Sequence, residues 1–583
     1  MLEKVKRALF AEPTQRKPLR LWPGVVIVAL QWLLWLVVPV AAPGDAVLML
    51  GVAGGLLGGM AVFAWWAFLS RAPWPERWGA IVLMIVALFA TSSLLHESIA
   101  TGNMGLMFSI YAIPVLSLAF VVWAVASRRL SDRLRRATMV ATILVACGGW
   151  TLVKCDGITG HAGTLFSWRW TRTAEDRFMA QLDHEPMVPP SAVALAAKAG
   201  ADWPGFRGPN RDGIARGLRI APDWSASPPV ELWRRPIGPG CSSFAVRGEL
   251  LYTQEQRGDD EVVTCYYLET GRPAWIHRDA ARFWDSHAGA GPRGTPTLSD
   301  GRVYTLGATG ILNALDAGDG SVVWSRNAAA DTDTGIPMWG FTSSPLVVGD
   351  VVIVAVEGTL VAYDRATGDR RWSGPNGGSS YSSPHLVTID GVAQVLLMSH
   401  VGATSLAPAD GTLLWKHSWP GEGRIVQPAV TADGELLLCS GGLDFCMRRI
   451  AVTHQADGWK VEERWTSRGL TPNFNDSVIH KGHAYGFVGP RLACIDVQDG
   501  TRKWSDKRYA GFSILLADQD VLLVLSEKGE LALVEAVPER FTELAWIPVV
   551  EGKTWNHPAL AGDVVVVRNA QEMAAFRLPV AGG

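Results

Sequence analysis

The stretch Ala362-Tyr-Asp-Arg-Ala-Thr-Gly-Asp-Arg-Arg-Trp372 predicts the fold of the larger part of this chain. In this stretch an Asp stands eight residues before a Trp, and a Gly stands four residues before the same Trp. The Asp can accept hydrogen bonds from the backbone N–H groups of a turn, and the Trp can bury a large apolar area. The same spacing recurs at Asp316, Gly320 and Trp324, and again at Asp496, Gly500 and Trp504.

Tryptophans recur along the C-terminal two-thirds of the chain, 39 to 50 residues apart by subtraction of their numbers. They are Trp233, Trp275, Trp324, Trp372, Trp415, Trp465, Trp504 and Trp546. A period of about 40–50 residues is typical of a propeller whose repeated unit is a four-stranded sheet. We expect these side chains to be structural and to dock between adjacent blades.

The last repeat predicts how the ring closes. Residues 555–576 supply three strands and have no terminal Trp, and the strand 230–235, which carries Trp233, supplies the missing one. The two ends of the propeller therefore share one blade, which removes an exposed sheet edge. We predict an all-β, eight-bladed propeller over residues 230–580, preceded by an α-helical membrane domain.

Five apolar stretches occupy residues 19–153, and each is near the ~20 residues that cross a hydrocarbon core of ~30 Å. They are Leu19–Ala42, Ala46–Ser70, Trp78–Leu95, Met104–Ala126 and Ala137–Val153. Because four further stretches follow the first, it is not a cleaved signal peptide. The sequence therefore predicts five transmembrane helices.

The charges on the short loops predict the orientation of these helices. Basic residues precede the first stretch and fill the second and fourth loops, whereas the alternate loops hold only Asp45, His96 and Glu97. The positive-inside rule then puts residues 1–18 in the cytoplasm. Five spans deliver a linker (154–200) and the propeller to the periplasm, across the inner membrane of a two-membrane bacterium. His96 and Glu97 are expected to be interfacial, although a quinone site would look similar.

A segment rich in Gly and Pro, residues 201–229, connects the linker to the propeller. Its core, Asp202-Trp-Pro-Gly-Phe-Arg-Gly-Pro-Asn-Arg-Asp-Gly213, cannot form a regular element. We expect its aromatic side chains to fix it against the propeller. A phosphate-binding loop is the weaker interpretation, because no strand and helix flank it.

The repeat resembles the pyrroloquinoline quinone (PQQ) repeat propellers, whose tryptophan-docking motif is approximately Ala-x-Asp-x-x-Thr-Gly-x-x-x-Trp. The resemblance rests on Ala362–Trp372 and covers about residues 200–580. This superfamily includes a non-enzymatic outer-membrane assembly lipoprotein and the quinoprotein dehydrogenases. Membrane-bound quinoprotein glucose dehydrogenase is similar in plan, with five N-terminal spans before a periplasmic propeller.

A ring of polar residues is expected where the innermost strand of each blade begins. Its members are Ser243, Thr295, Ser344, Ser383, Gln427, Asp476 and His557. The ring could bind a ligand, or it could only line a water-filled channel. Asn475 and Asp476 offer oxygen ligands for Ca²⁺, and Asp476 could act as a general base.

Candidate cofactor-binding residues lie beside the ring. Arg293 could pair with the carboxylates of PQQ, and an aromatic side chain could stack on its ring. The other candidates are Trp339, Tyr381, Gln427, Trp555, Asn556 and His557. Against an enzyme, the chain has no Cys-Cys pair, no Cys-x-x-Cys-His haem motif and no large insertions of the kind that shape the dehydrogenase sites.

The net charge and the cysteine content limit the possible partners and crosslinks. The net charge of −2 does not favour nucleic acid as a partner. Seven cysteines are too few for a disulfide framework; Cys439 and Cys446 could pair in an oxidising compartment, but free thiols are favoured. The sequence favours a membrane-anchored module that binds or scaffolds an envelope protein, peptide or glycan. The alternative is a PQQ- and Ca²⁺-dependent dehydrogenase that oxidises a sugar or alcohol and passes electrons to ubiquinone.

Overall fold

The computed structural model describes residues 19–41, 45–158, 163–181, 187, 189–191, 196, 202–440, 446–506 and 509–581. The chain forms two compact units, a helical unit that ends at Thr171 and a unit of β-sheets from Arg172 onward. The predicted cytoplasmic residues 1–18 lie outside the described residues, as do most of residues 182–200 of the predicted linker.

Within the described part of the helical unit, four helices are long and apolar enough to cross a membrane. They are Trp22–Ala41, Val47–Leu69, Trp74–Ser92 and Met107–Arg129. A short helix, Glu97–Ala100, lies between the third and fourth of them. Glycines let the second helix approach its neighbours closely, since a methyl group on Gly59 would lie 2.2 Å from Cγ2 of Ile113.

By length and composition, four of the five predicted spans are supported. The fifth stretch forms a helix, Asp132–Gly148, of 17 residues, followed by a 3₁₀ turn, Gly149–Leu152. Its first turns carry Arg133, Arg135 and Arg136, so the apolar part is too short to count as a span on length and composition.

The fifth helix nevertheless runs antiparallel along the fourth for its whole length. Near its start, Thr138 Oγ1 accepts a hydrogen bond of 3.0 Å from Trp123 Nε1, close to the end of the fourth helix. At its end, the ring of Trp150 lies 6.4 Å from the ring of Phe108, at the start of the fourth helix. A hairpin of two strands, Val153–Ile158 and Thr164–Trp168, follows it.

The second unit is an eight-bladed propeller. Eight antiparallel sheets follow one another along the chain, and the first strands of successive sheets contact each other around a central channel. A helix, Ala174–Met179, and a ribbon, Trp284–Asp285 with Gly289–Ala290, are additions to this plan.

The blades are numbered in chain order, and their strands run from the channel outward. Blade 1 contains Ala245–Arg247, Leu250–Arg257, Asp260–Tyr267 and Pro273–Asp279, and blade 2 contains Thr297–Ser299, Arg302–Leu306, Ile311–Asp316 and Val322–Asn327. Blade 3 contains Leu346–Val348, Val351–Val356, Thr359–Asp364 and Arg370–Ser373, and blade 4 contains His385–Ile389, Val392–Ser399, Gly402–Leu406 and Leu413–Ser418. Blade 5 contains Ala429–Val430, Leu436–Cys439, Met447–Gln455 and Gly458–Ser467, and blade 6 contains Val478–His480, His483–Val488, Arg491–Asp496 and Arg502–Ser505. Blade 7 contains Gly511–Leu516, Val521–Ser526, Glu530–Glu535 and Glu543–Pro548, and blade 8 contains Ala559–Ala561, Val564–Arg568, Glu572–Arg577 and Val230–Pro236.

The ring closes as predicted. Val230–Pro236 pairs antiparallel with Glu572–Arg577, and Trp233 lies opposite Ala575. The first strand of the propeller sequence thereby completes blade 8. The prediction of an eight-bladed propeller is confirmed.

Tryptophan docking is seen clearly between blades 2 and 3. The indole of Trp324 packs on Gly368 of the next blade, where a methyl group would lie 2.6 Å from Cδ2 of the indole. Trp324 Nε1 donates a hydrogen bond of 3.0 Å to the carbonyl of Arg365 in the same turn. Asp364 holds this turn, since its Oδ1 accepts from the backbone N–H groups of Ala366 and Thr367.

Trp546 departs from this pattern, because it is 49% exposed whereas Trp324 is 7% exposed. In blade 2 the β-bulge directly follows the pair Ala314–Trp324, but in blade 7 it follows the pair Leu533–Ala545. Ala545 therefore takes the docking position. Trp546 is one residue further along the strand and points to the opposite face. The expectation that Trp546 docks between blades is wrong for this reason.

Candidate binding site on the propeller

Residues 202–220 form a plug in the central channel. Both ends of the plug bind turns that join first and second strands: Gly248 N donates to Asp202 Oδ1 over 2.9 Å, and Ile220 N donates to Gln519 Oε1 over 2.8 Å. Between these ends, Ile214–Ala215 pairs in parallel with the first strand of blade 7. The plug therefore enters and leaves through one face of the propeller.

Two arginines at the tip of the plug reach the other ends of the first strands. Arg207 Nη2 donates to the carbonyl of Ser477 over 2.8 Å, and Arg211 Nη2 donates to the carbonyl of Ser344 over 3.0 Å. Both side chains are buried. Burial, and next the charge of Arg207, lowers the pKa of Arg211 to about 9. The plug thus brings two positive charges into the core of the ring.

The predicted polar ring holds the blades together. Four ring residues give their backbone N–H group to the side chain of the ring residue in the next blade, over 2.7 to 3.1 Å. The pairs are Ser243 to Thr295, Thr295 to Ser344, Ser344 to Ser383, and Gln427 to Asp476. Ser243 Oγ also donates to the carbonyl of His557 over 2.6 Å. The buried ring is therefore interblade structure rather than the lining of an open channel.

Asp476 and His557 come together as candidates, but protein groups surround the carboxylate. Asp476 Oδ1 accepts the Gln427 N–H, and Oδ2 lies 3.8 Å from Arg207 Nε and 3.6 Å from His557 Nε2. Burial raises the pKa of Asp476 and is opposed by Arg207 and the Gln427 N–H. Burial and the Arg207 charge hold the pKa of His557 well below 6.5, so this imidazole is neutral at pH 7.

The NH₂ groups of the amides that were predicted as ligands donate hydrogen bonds within the fold. Asn475 Nδ2 donates to the carbonyl of Gly511 over 2.5 Å, and Asn556 Nδ2 donates to the carbonyls of Gly240 and Ser242 over 2.9 and 2.8 Å. Gln427 Nε2 donates to the carbonyl of Ile425 over 3.2 Å.

These residues do not fit a Ca²⁺ ion with PQQ. Ca²⁺ takes six to eight oxygen ligands, whereas the guanidinium of Arg207 already places a positive charge beside Asp476. Within the described residues, no group of three or more His, Cys, Asp or Glu is suited to a metal ion. All seven cysteines, including Cys439 and Cys446, are free thiols.

The remaining candidates lie on the loops that lead into the first strands, on the face away from the ends of the plug. There the ring centroids of Trp339 and Tyr381 lie 4.6 Å apart. His287 extends this pair with its ring 6.1 Å from that of Trp339, and its carbonyl accepts a hydrogen bond from Lys553 Nζ. Aromatic side chains from the loops before blades 2, 3 and 4 thus lie in one row, and the cation from the loop before blade 8 binds the end of that row.

The series continues on the other side of Lys553. The Lys553 Nζ lies 3.4 Å from the ring centroid of Trp555, a cation–π contact. Trp555 Nε1 donates to Glu527 Oε1 over 2.6 Å, and the Phe474 ring lies 5.1 Å from that of Trp555. We call this continuous series the rim arc; its members are Phe474, Trp555, Lys553, His287, Trp339 and Tyr381.

At the rim, the ammonium group of Lys553 has a pKa close to neutral pH. Burial lowers its pKa to about 8, although Cys241, Glu527 and Asp285 act in the opposite direction. Arg293 is buried and bound: it forms an ion pair with Asp285 and donates to the carbonyl of Gly289 over 2.7 Å. Arg293 therefore supports the rim rather than offering a free guanidinium to a ligand.

The loop of Trp339 carries apolar side chains that are exposed to solvent. Met338 is 61% exposed and Ile336 is 53% exposed. Aromatic residues and Met are enriched in protein interfaces, and hot spots are rich in Trp and Tyr. The rim arc with this loop is chemically suited to bind another molecule.

Sequence reasoning missed Lys553, His287, Phe474 and the two plug arginines. One signal could have found Phe474. Tyr381, Trp555 and Phe474 each stand two residues before a ring residue of their blade. Nothing in the spacing pointed to the arginines, because the plug reaches the ring from outside the repeat.

Fold and site together define an eight-bladed propeller with a plugged channel and an aromatic rim. A family model described as "Outer membrane protein assembly factor BamB" matches residues 260–506, which is less than half of the chain. The quinohemoprotein alcohol dehydrogenase ADH-IIG of Pseudomonas putida is 31% identical over 94 residues. That match covers 14% of this chain and only 12% of the length of the relative.

Solved structures have similar folds at low sequence identity. BamB from Moraxella catarrhalis is 15% identical with a TM-score of 0.45, and the match covers 60% of this chain and 98% of that one. Quinohemoprotein alcohol dehydrogenase from Comamonas testosteroni is 14% identical with a TM-score of 0.40, over 70% of this chain and 86% of that one.

Proposed function

We propose that this protein is a membrane-anchored binding module whose rim arc docks a polypeptide of the bacterial envelope. The observation that carries the proposal is the rim arc itself, next to the exposed Met338. Rigid aromatic side chains bury a large area at a low entropic cost, and such residues dominate binding energy at protein interfaces. The rim is fixed by the propeller beneath it, so little order is lost on binding.

The dehydrogenase alternative is supported less well. A quinoprotein site would need an open carboxylate for Ca²⁺ and space above the channel core. Asp476 instead accepts the Gln427 N–H and faces Arg207 and His557. The relatives include quinohemoprotein alcohol dehydrogenases, so this function stays as the rival that experiment must exclude.

We also propose that the anchor lies in the inner membrane with the N-terminus in the cytoplasm and the propeller in the periplasm. Two observations support a fifth crossing despite its short apolar part. Glu76, at the start of the third helix, binds Arg135 and Arg136 at the start of the fifth. Trp150, at its end, packs on Phe108 at the opposite end of the unit. The fifth helix therefore covers the same distance as its neighbours and starts at the arginine-rich end.

Photo-crosslinking in living cells tests the binding role. A photoreactive amino acid at Met338 should give a discrete adduct upon irradiation, with its partner identified by mass spectrometry. The matched control position is Val322, which is 51% exposed on the outer strand of blade 2. The substitution Trp339→Ala should abolish the adduct at position 338, because it removes the centre of the arc.

Two outcomes would contradict the proposal. One is an adduct of equal yield at positions 338 and 322, which would mean collision rather than docking. The other is an adduct at position 338 that survives Trp339→Ala in a folded protein, which would mean that the arc does not bind the partner.

A further inference from the structure

The hairpin that follows the fifth helix exposes a pair of stacked tryptophans. Trp168 is 54% exposed and Trp170 is 67% exposed, and their rings lie 5.2 Å apart at an interplanar angle of 7°. Leu165, on the same strand as Trp168, is 50% exposed. Such an apolar surface is costly in water and indicates a partner.

Exposed tryptophans are concentrated in the helical unit. Trp22 and Trp74 are 68% and 72% exposed at the starts of the first and third helices, with Trp78 one turn further on. Elsewhere in the described chain, Trp546 is the one tryptophan exposed to a comparable degree. Because Trp is enriched at both membrane–water interfaces, the first group indicates one interface and the hairpin indicates the other.

The hairpin is held at the depth of the helix ends. Tyr111 lies four residues into the fourth helix, about 6 Å from its start at 1.5 Å per residue. Its hydroxyl donates to Thr164 Oγ1 over 2.9 Å, and its ring lies 5.2 Å from that of Phe166. Trp168 pairs with Val153, directly after the fifth helical segment ends. The strand therefore lies beside the last turns of the helices.

Exposed apolar side chains are present both on the fifth helical segment and on the hairpin. Val145 and Leu152 are exposed near the end of the helical segment, and Leu165 and Trp168 are exposed on the strand that follows. Arg169, between the two tryptophans, is also exposed and can pair with a lipid phosphate. An indole matches this zone because its ring is apolar and its N–H is polar.

We propose that the strands Val153–Ile158 and Thr164–Trp168, with Trp170, form an interfacial anchor that inserts its stacked indoles into the headgroup region of the bilayer. The proposal rests on the proposed membrane anchoring and extends it, since it assigns a lipid-binding surface outside the helices. The occupant is the leaflet at which the fourth helix begins.

Fluorescence quenching on the full-length chain tests this. In a Cys241→Ser background, which removes the half-buried thiol, Trp168→Cys is labelled with a small environment-sensitive fluorophore. The protein is reconstituted into phosphatidylcholine vesicles without nitroxide, with a lipid that carries a nitroxide near the headgroup, or with a lipid that carries one deep on its acyl chain, which is the quencher for the position in the middle of a helix. Two matched positions are labelled in the same way: Trp546→Cys on the propeller, and Leu57→Cys, 58% exposed in the middle of the second helix.

We expect the label at position 168 to be quenched by the nitroxide lipid, and its quenching by aqueous iodide to be at least about threefold weaker than at position 546. Equal iodide quenching at 168 and 546, with lipid quenching retained at 57, would overturn the interfacial anchor alone. Loss of lipid quenching at 57 would overturn the membrane anchoring and the hairpin proposal together. Trp170→Cys repeats the measurement if the first variant does not fold.

Discussion

Gly368→Ala should destabilise the propeller much more than Gly349→Ala, although both glycines lie in turns of blade 3. Both have a positive φ, 76° at Gly368 and 57° at Gly349. They differ in what an added methyl group would meet. At Gly368 it would lie 2.6 Å from Cδ2 of Trp324, and at Gly349 nothing lies within 4 Å.

The expected magnitudes follow from this difference. A left-handed conformation costs an Ala about 1–2 kcal/mol at either position. Displacing the docked indole at Gly368 adds about 1–3 kcal/mol, as overpacking of a filled core does. Gly349→Ala should therefore cost about 1–2 kcal/mol, and Gly368→Ala about 2–5 kcal/mol.

Equilibrium unfolding of the full-length protein in detergent measures both variants, with urea as the denaturant and near-UV circular dichroism as the readout. The midpoint for Gly368→Ala should lie clearly below that for Gly349→Ala. Equal midpoints would refute the reasoning, because they would show that the contact between indole and glycine contributes nothing beyond backbone conformation.

Three further experiments, with five substitutions, test the remaining structure. Arg207→Ala should lower the free energy of unfolding by about 3–5 kcal/mol in the same assay, because it leaves the buried Asp476 without a cation. Adding Asp476→Asn to this variant should restore part of the loss. If it restores nothing, the two residues are not paired. Burial, with the charges of nearby arginines, lowers the pKa of His385 from 6.5 to about 3. Between these two pH values the unfolded chain binds a proton at this residue and the folded chain does not. The free energy of unfolding should therefore fall by about 1.4 kcal/mol for each pH unit below about pH 6.5. His385→Gln should remove this contribution, and an unchanged slope between about pH 5 and pH 6 would contradict the neutral, buried imidazole. Trp324→Ala should cost about 3–5 kcal/mol and Trp546→Ala about 0.5 kcal/mol or less; equal losses would contradict the assignment of Trp546 to the exposed face.

Much of the fold was predictable because its signal is local. The docking Trp and the turn that it meets in the next blade recur at a steady spacing. The last repeat lacks its Trp, which indicated that the first strand of the propeller sequence completes blade 8. The shift of Trp546 was not predictable in the same way. It depends on a β-bulge between Leu533 and Val534, and a displacement of one residue reverses the face of a side chain without changing the period much.

The candidate site was predicted only in part. Asp476 and His557 do meet, since each stands two residues before the first strand of its blade and both belong to the same ring. Their environment was missed because Arg207 comes from the plug, which is outside the repeat and reaches blade 6 only through tertiary contacts. The fifth helix also shows tertiary contacts that its composition does not predict. Its apolar part is too short for a full span, yet it contacts the fourth helix near both of its ends.

Titration of the purified protein with PQQ and Ca²⁺ tests the central claim, that the propeller is a binding module with its channel core closed. The account predicts no saturable change in quinone absorbance at high micromolar PQQ, and no dye reduction with sugars or alcohols. Saturable binding that is lost in Asp476→Ala would contradict it, because PQQ would then displace Arg207 from the carboxylate.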